Sequence, residues 1–307
     1  MTYDLAIIGG GPAGVAAGVY AARKKLKTAF ISKDFSNQSM VSFDIQNWIG
    51  TVSITGEELA KNFEKHLRAY AGDMVDIITG EYVTEIVKES DIFRVKTPKK
   101  EIETKTVLVT TGSYRRKLEI PGAAEYENKG ITYCATCDGP LFSGKDVVVV
   151  GGGNAAFETA AQLLAYCNSV ILLNRSGEFR ADPVTVEKVL SNPKMKAVKF
   201  AIPHSVKGDK FVTSITYEDA NTKEKTEIPT QGIFVEIGLL PNTGFVEKLV
   251  KLSDYKQIIV DPRTQSASVS GVWAAGDCTD GLYHQNNIAA GDAVKALEDI
   301  YMHLHTK

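Results

Sequence analysis

A strand, a glycine turn and a helix occur twice in this chain, in the same order and with similar residues. Near the start, Tyr3-Asp4-Leu5-Ala6-Ile7-Ile8 is an apolar run of strand type ending in Gly9-Gly10-Gly11-Pro12-Ala13-Gly14. An Ala-rich helical stretch follows to about Lys25, then an apolar run from Thr28 to Ile31. Near the middle, Asp146 to Val150 leads into Gly151-Gly152-Gly153-Asn154-Ala155-Ala156, a helical stretch to about Tyr166, and a strand from Ser169 to Leu173. Each is a βαβ unit.

The repetition continues past these units. Segments Tyr82 to Val87, Ile92 to Thr97 and Thr106 to Thr110 read as a small antiparallel meander, and Val198 to Ile202, Phe211 to Glu218 and Ile233 to Ile237 as its counterpart. Two similar nucleotide-binding domains are the economical account, and 307 residues fit about two domains. Ser113 to Lys117 is polar and basic, and Gly238-Leu239-Leu240-Pro241-Asn242 carries turn residues. A middle domain of residues 114–246 is therefore expected within an outer domain of residues 1–113 and 247–307. The fold class is α/β, with two Rossmann-like dinucleotide-binding domains (three-layer ββα sandwich), the second inserted in the first. Thr55 and Glu58 form a capping box, and Leu59, Phe63, Leu67 and Tyr70 then make one apolar stripe, read as core packing.

A dinucleotide turn needs glycines for the bend, for backbone approach to a pyrophosphate, and for packing helix on strand. The helix N-terminus then offers free N–H groups and the positive end of its dipole. Gly9, Gly11 and Gly14 fill the three slots, with Pro12 and Ala13 between. Gly151, Gly153 and Ala156 fill them again, with Asn154 and Ala155 between. Two adjacent sites suggest a flavin in one and a nicotinamide in the other, because that pairing separates hydride delivery from electron storage. Near the C-terminus, Gly271 to Cys278 reads as a strand ending in a turn. There Gly276 precedes Asp277, a carboxylate suited to a ribityl hydroxyl, and a helix begins at about Asn287.

The sharpest feature is Cys134-Ala135-Thr136-Cys137-Asp138. Two cysteines with two residues between them can close a reducible ring, and Asp138 suits the proton exchange that a disulfide requires. A zinc site needs a second Cys or His pair at ligand spacing. Cys167 and Cys278 are isolated, and His66, His204, His284, His303 and His305 pair only in His303-Leu304-His305, so no metal is expected. Cys167 and Cys278 read as small packed thiols.

With Cys134-Ala135-Thr136-Cys137-Asp138 before the second glycine turn and Ala274-Ala275-Gly276-Asp277 near the end, the chain resembles the low-molecular-weight thioredoxin reductases. It is also similar to the reductase portion of alkyl hydroperoxide reductase flavoproteins. The resemblance covers essentially the whole chain, including Asn47-Trp48, Thr111-Gly112 and Ile237 to Thr243. It implies a homodimer with FAD in the outer domain, and with NADPH (NADH being possible) and the redox disulfide in the inserted one. Hydride would pass from NADPH to FAD, then to the Cys134–Cys137 disulfide, then to thioredoxin or a thioredoxin-like protein. The inserted domain would swing near Ser113 and Pro241 to serve both partners. By the same resemblance Gln38, Asn47, Thr111, Gly112, Gly276, Asp277, His284, Gln285 and Asn286 join the first glycine turn around FAD. Asn174, Arg175, Ser176, Arg180, Ile237 and Gly238 join the second around NADPH.

Three departures stand out. Ser36-Asn37-Gln38 replaces a usual Gly-Gly-Gln. Asn174-Arg175-Ser176, with Arg180 beyond, replaces a His-Arg-Arg run that reads a 2′-phosphate, yet no acidic residue occupies the strand end to hold a 2′-hydroxyl. Asn286-Asn287 follows Gln285 where apolar residues are usual. The weakened phosphate pocket motivates an alternative, a flavin disulfide reductase fed by ferredoxin or NADH; another is a non-catalytic flavin redox sensor.

Composition narrows the partners. Lys plus Arg is 35 against 37 Asp plus Glu, leaving no basic excess for a phosphate backbone, so nucleic acid is not expected. No stretch approaches the ~18 to 20 apolar residues that span a bilayer. The first residues run straight into a strand without a basic region or cleavage site, so a cytoplasmic location is expected.

Overall fold

The computed structural model describes residues 2–42 and 44–306. The chain divides into two compact units, Met1–Tyr114 with Leu240–Lys307, and Arg115–Leu239. Along the first run lie β1 (Tyr3–Ile8), α1 (Pro12–Arg23), β2 (Thr28–Ser32), α2 (Gly56–Ala71), β3 (Val75–Thr79), β4 (Glu85–Glu89), β5 (Ile92–Lys96), β6 (Glu101–Val109) and β7 (Ser113–Arg115). The middle run carries β8 (Ile131–Thr132), α3 (Ala135–Asp138), β9 (Asp146–Val150), α4 (Asn154–Leu163), β10 (Ser169–Leu173) and α5 (Pro183–Leu190). It continues through β11 (Met195–Val198), β12 (Ala201–Gly208), β13 (Val212–Asp219), β14 (Lys225–Pro229), β15 (Gly232–Val235) and β16 (Leu239–Pro241). The return adds β17 (Val272–Ala274) and α6 (Asn286–Thr306).

In the first unit the sheet runs β3-β2-β1-β6-β5-β4, with β17 also on β6. One strand, β6, serves three ladders. Glu101 to Thr104 of β6 pairs antiparallel with β5, whereas Val107 to Val109 pairs parallel with both β1 and β17. The sequence of β6 explains the change. Its first half alternates polar and apolar residues, as an antiparallel strand with one wet face does, and its second half is a continuous buried run. The expected meander is therefore corrected: Thr106 to Thr110 belongs to the parallel part of the sheet.

Helix α1 starts at Pro12, whose missing N–H costs nothing at the first helical position. It packs against β2 and α2 closely enough that a Cβ at Gly18 would lie 2.7 Å from the Leu67 side chain and 3.3 Å from Phe30. Helix α2 is capped as expected, the Glu58 N–H donating to Thr55 Oγ1 at 3.2 Å. Leu59, Phe63 and Leu67 are buried, but Tyr70 is 46% exposed, with the Arg23 guanidinium 5.7 Å from its ring centre. Ala71, one position on, supplies the buried contact instead.

The second unit has a parallel sheet ordered β11-β10-β9-β15-β8 and a separate antiparallel sheet β12-β13-β14. Ile233 to Ile237 thus contributes a parallel strand beside β9, not the end of a meander. The true third strand, Lys225–Pro229, has one buried residue, Ile228, and so carries almost no apolar signal. Val198 to Ile202 is interrupted by Phe200 at φ 58°. The second crossing between the units also comes earlier than the 246/247 boundary expected. Asn242 N donates to Gly112 O at 3.0 Å and Val246 is buried in the first unit's core, so residues from Leu240 onward pack there. No helix among the described residues is long and apolar enough to cross a membrane.

Candidate functional site

The first glycine turn joins β1 to α1. Gly9 has φ 120°, and a Cβ there would overlap the Thr110 carbonyl oxygen; one on Gly14 would overlap the carbonyl oxygen of Gly9. Gly11 is different. A Cβ on it would meet only the Asn37 Cβ, at 3.9 Å, so backbone there is open to close approach. Gly11 is also the N-cap of α1, with no side-chain cap and no acidic residue in the first turn. The leading N–H groups of α1 and its dipole therefore face an uncovered position, the arrangement that holds a pyrophosphate.

The expected flavin residues gather around this turn. A Cβ on Gly276 would lie 3.5 Å from that of Ala13, which brings Gly276-Asp277 to the start of α1. Gln38 Nε2 donates to Asp277 Oδ2 and to Ser113 Oγ, each at 3.2 Å, and His284 Nδ1 lies 3.4 Å from Asp277 Oδ1. Asn47 Nδ2 donates to Gln285 Oε1 at 3.3 Å. Thr111 and Gly112 are tied to the returning chain, Thr111 Oγ1 donating to Asn242 O at 2.7 Å. Asn286 and Asn287, polar where apolar residues are usual, also have partners. The Asn286 amide donates to Ser39 Oγ at 2.9 Å, and Asn287 Nδ2 donates to Asn47 O at 2.7 Å. They pin Ser39 and Asn47 to the start of α6.

Sequence reasoning missed two residues here. A Cβ on Gly10 would overlap the Asp34 carbonyl oxygen, so the middle glycine is as constrained as its neighbours. Asp34 itself stands about 20 residues after the third glycine, where this fold places a carboxylate for a ribose hydroxyl. That spacing was readable in the sequence. An uncovered helix start, an exposed carboxylate beside the turn, and the Gln38–Asp277–His284 cluster make a donor and acceptor set that fits FAD.

The second turn repeats the design in the other unit. A Cβ on Gly151 (φ 150°) would overlap the Glu236 carbonyl oxygen, and Ala156 fills the third slot fully buried. Around Gly153 a Cβ would meet nothing within 4 Å, and α4 again starts without a side-chain cap or an acidic first turn. Asn154 and Ala155 are exposed, though the Asn154 side-chain oxygen Oδ1 already accepts a hydrogen bond from Asp182 N at 2.7 Å. The loop after β10 adjoins this turn. Arg180 N donates to Gly152 O at 2.7 Å, and Arg175 and Arg180 are exposed. Asn174 is buried, its amide donating to the Ser176 and Glu178 carbonyls at 2.9 Å each, so it shapes the loop. Ile237 and Gly238 lie where Arg116 N donates to Gly238 O at 3.0 Å.

Cys134 and Cys137 form a disulfide with their Cα atoms 5.3 Å apart, both residues half-buried. Cys134 is the N-cap of α3, its Sγ accepting the Cys137 N–H at 3.2 Å. Asp138 accepts a hydrogen bond from the Thr132 hydroxyl. Burial pushes the Asp138 carboxyl pKa up, against the Thr132 bond and the nearby Arg115 charge. Cys167 and Cys278 are buried free thiols, each pushed up to about 11 by desolvation. Among the described residues no group of three or more His, Cys, Asp or Glu could hold a metal ion.

Residues 3–293 match the family described as pyridine nucleotide-disulphide oxidoreductase. The chain belongs to this family. Members bind FAD and pyridine nucleotides, in keeping with the two glycine turns and the disulfide. This oxidoreductase is 38% identical over 295 residues to an NADH dehydrogenase of Bacillus subtilis (strain 168), covering 96% of this chain and 57% of that protein. It is 38% identical over 304 residues to an alkyl hydroperoxide reductase F protein of Pseudomonas aeruginosa, covering 98% and 58%. It thus spans less than two thirds of the length of these curated relatives. Among solved structures, thioredoxin reductase from Giardia duodenalis superposes with TM-score 0.93 at 31% identity, over 99% of each chain. Thioredoxin reductase from Streptococcus pyogenes MGAS5005 gives 0.91 at 32%, over 100% and 99%. The resemblance to thioredoxin reductases and the two Rossmann-like domains are borne out.

Proposed function

We propose that this oxidoreductase is a thioredoxin-disulfide reductase. The unit Met1–Tyr114 with Leu240–Lys307 holds FAD, and Arg115–Leu239 holds NADPH and the working disulfide. The observation that carries this reading is the half-buried Cys134–Cys137 disulfide with Asp138 beside it. When bound, the flavin supplies two-electron transfer between the nicotinamide and the disulfide.

Reduction of the S–S bond by two electrons, with uptake of two protons, gives two thiols. The Cys137 N–H held on Cys134 Sγ at 3.2 Å favours negative charge on that sulfur, so Cys134 attacks the partner's disulfide. That step breaks the partner's S–S bond, forms a mixed disulfide with Cys134 and releases one partner thiolate. Cys137 then attacks Cys134, releases the second thiolate and restores the original bond. Asp138 holds the proton that Cys137 gives up and returns it to the leaving sulfur. Its raised pKa suits that exchange.

A protein-sized substrate is supported by the apolar surface around α3. Leu141 is 51% exposed and Tyr166 is also exposed. The Tyr166 ring lies 3.7 Å from where a Cβ on Gly139 would be, so that surface adjoins the cysteines. The relatives named thioredoxin reductase favour thioredoxin or a thioredoxin-like protein as that substrate. The same reading makes the enzyme a homodimer of the cytoplasm, where two buried free thiols remain reduced.

NADPH is favoured by Arg175 and Arg180, exposed guanidinium groups without an ion-pair partner among the described residues. NADH is the second reading. It is favoured by the internal bonding of Asn174, which withdraws that residue from a 2′-phosphate, and by the relative named NADH dehydrogenase. FAD-loaded protein mixed anaerobically with each nucleotide, then with thioredoxin and a chromogenic disulfide, tests the proposal. Prompt flavin bleaching and turnover that disappears in Cys137→Ser support it; bleaching without disulfide turnover refutes it.

A further inference from the structure

Phe200 holds a backbone conformation that bulky residues rarely take. Its φ is 58°, in the left-handed region, and it is 38% exposed, so burial in the core is not what keeps it there. A residue strained in this way persists where its surroundings fix it. Here the surroundings are the loop after β10, residues 174–180. The Phe200 ring lies so close over Gly177 that a Cβ on that glycine would be 2.5 Å from the ring's Cζ. Phe200 N donates to Ser176 O at 3.3 Å, and Ala201 N donates to Asn174 O at 2.9 Å. Lys199 Nζ lies 5.0 Å from the centre of the Phe179 ring.

The loop is gripped from its other side as well. A Cβ on Gly152 of the nucleotide turn would overlap Asn174 Oδ1, and the Phe179 ring packs edge-on against Phe157 of α4. Arg180 is tied to the turn through its own N–H, 2.7 Å from Gly152 O. Arg175 instead stands between Asn174 and Ser176, the two residues to which Ala201 and Phe200 are bonded.

We propose that Phe200 and Gly177 form a positioning pair: the ring, seated where position 177 has no side chain, holds the loop so that Arg175 and Arg180 together receive a phosphate on the 2′ oxygen of an adenosine. The proposal rests on the NADPH reading above and adds the device that shapes the pocket. Its physical basis is preorganisation. A long arginine side chain already loses rotamer freedom on binding, and a loop that must be ordered at the same moment adds to that cost. Fixing the loop beforehand helps a ligand that the arginines touch and does nothing for one that they do not.

The test uses FAD-loaded protein and two probes without a nicotinamide, adenosine 2′,5′-bisphosphate and adenosine 5′-monophosphate, which differ in the 2′-phosphate alone. Calorimetry gives the dissociation constant of each in wild type, Phe200→Ala, Phe200→Tyr and Gly177→Ala. Phe200→Ala removes the ring. Gly177→Ala, at a position outside the left-handed region, drives a methyl group against the ring from the loop side. Each weakens the bisphosphate by about tenfold, the order of one lost contact to a charged group, and the monophosphate by less than about twofold. Retained binding of the monophosphate also shows that the variants fold. Phe200→Tyr, which keeps the ring, binds both probes as wild type does. Equal weakening of the two probes, or an unchanged bisphosphate affinity in Phe200→Ala, overturns the proposal. Arg175→Met and Arg180→Met separate that failure from a failure of the NADPH reading. If they lose the preference for the bisphosphate while Phe200→Ala keeps it, the reading stands and the proposal falls; if wild type shows no preference, both fall.

Discussion

The Gln38 side-chain amide donates to the Asp277 carboxylate at 3.2 Å, joining residues from opposite ends of the first unit. The bond fixes the Gln38 side chain beside Asp277 although Ser36 and Asn37 precede it in place of two glycines. Asn37 has a job of its own, its Oδ1 accepting Ser39 N at 2.9 Å to start the short turn that carries Gln38. Asp277→Ala removes a carboxylate with partners on both oxygens, and flavin affinity falls by about tenfold to a hundredfold. Gln38→Ala, which leaves Asp277 with His284, has a smaller effect in the same direction. Flavin release followed by fluorescence measures both.

Two glycines of the first turn separate folding from cofactor binding. Gly14→Ala drives a methyl group into the Gly9 carbonyl, and the protein loses stability by more than 2 kcal/mol, on the order of a strained, overpacked site. Gly11→Ala meets open space, so thermal stability without flavin changes little beyond the ~1 kcal/mol of a poorer N-cap. It does obstruct the approach of a pyrophosphate, and flavin uptake drops sharply. Melting temperature and flavin content, measured together, check the contrast.

With Asp138 exchanging the proton as proposed, the reaction takes its pH dependence from that carboxyl. Its folded-state pKa is raised, so the protonated form persists to higher pH than for an exposed aspartate and is lost as pH rises through the raised value. Proton return to the leaving thiolate slows over that range. Asp138→Asn abolishes this limb of the profile and lowers disulfide turnover by about 10²-fold, within the range of general acid–base catalysis. Because the proton-bound carboxyl is the form that burial favours, Asp138 contributes stability below its unfolded value that is lost as pH rises through the folded one. Denaturation of wild type against Asp138→Asn reads that difference.

Thr55→Ala removes the hydroxyl that accepts the Glu58 N–H. Stability falls by about 1 kcal/mol with flavin binding and turnover unchanged, since the lost bond lies within the first turn of α2 itself. Urea denaturation and a steady-state assay check it.

What could be read in the sequence was local. Tyr3 to Ile8, Ser169 to Leu173, both glycine turns and the Thr55 cap announce themselves because neighbours along the chain decide them. The errors fall where distant partners decide. Nothing within Glu101–Val109 says that one half meets β5 and the other β17, and Lys225–Pro229 is a strand only because β13 lies beside it. Tyr70 keeps the helical period but sits beyond the edge of the core.

The same division runs through the site. The cysteine pair and its aspartate are contiguous and were legible. The Asn286–Ser39, Asn287–Asn47 and Arg115–Glu236 hydrogen bonds join residues more than a hundred positions apart, and no spacing rule exposes them. Asp34 was available from its distance to Gly14.

An anaerobic titration of FAD-loaded protein with the nicotinamide nucleotide, monitored by flavin absorbance and by free thiols, tests the central claim most directly. If electrons reach the bond between Cys134 and Cys137, full bleaching takes two equivalents of nucleotide per flavin, with two new thiols, and one equivalent when both cysteines are replaced by serine. Full bleaching of the unaltered protein by a single equivalent, with no thiols gained, would contradict it.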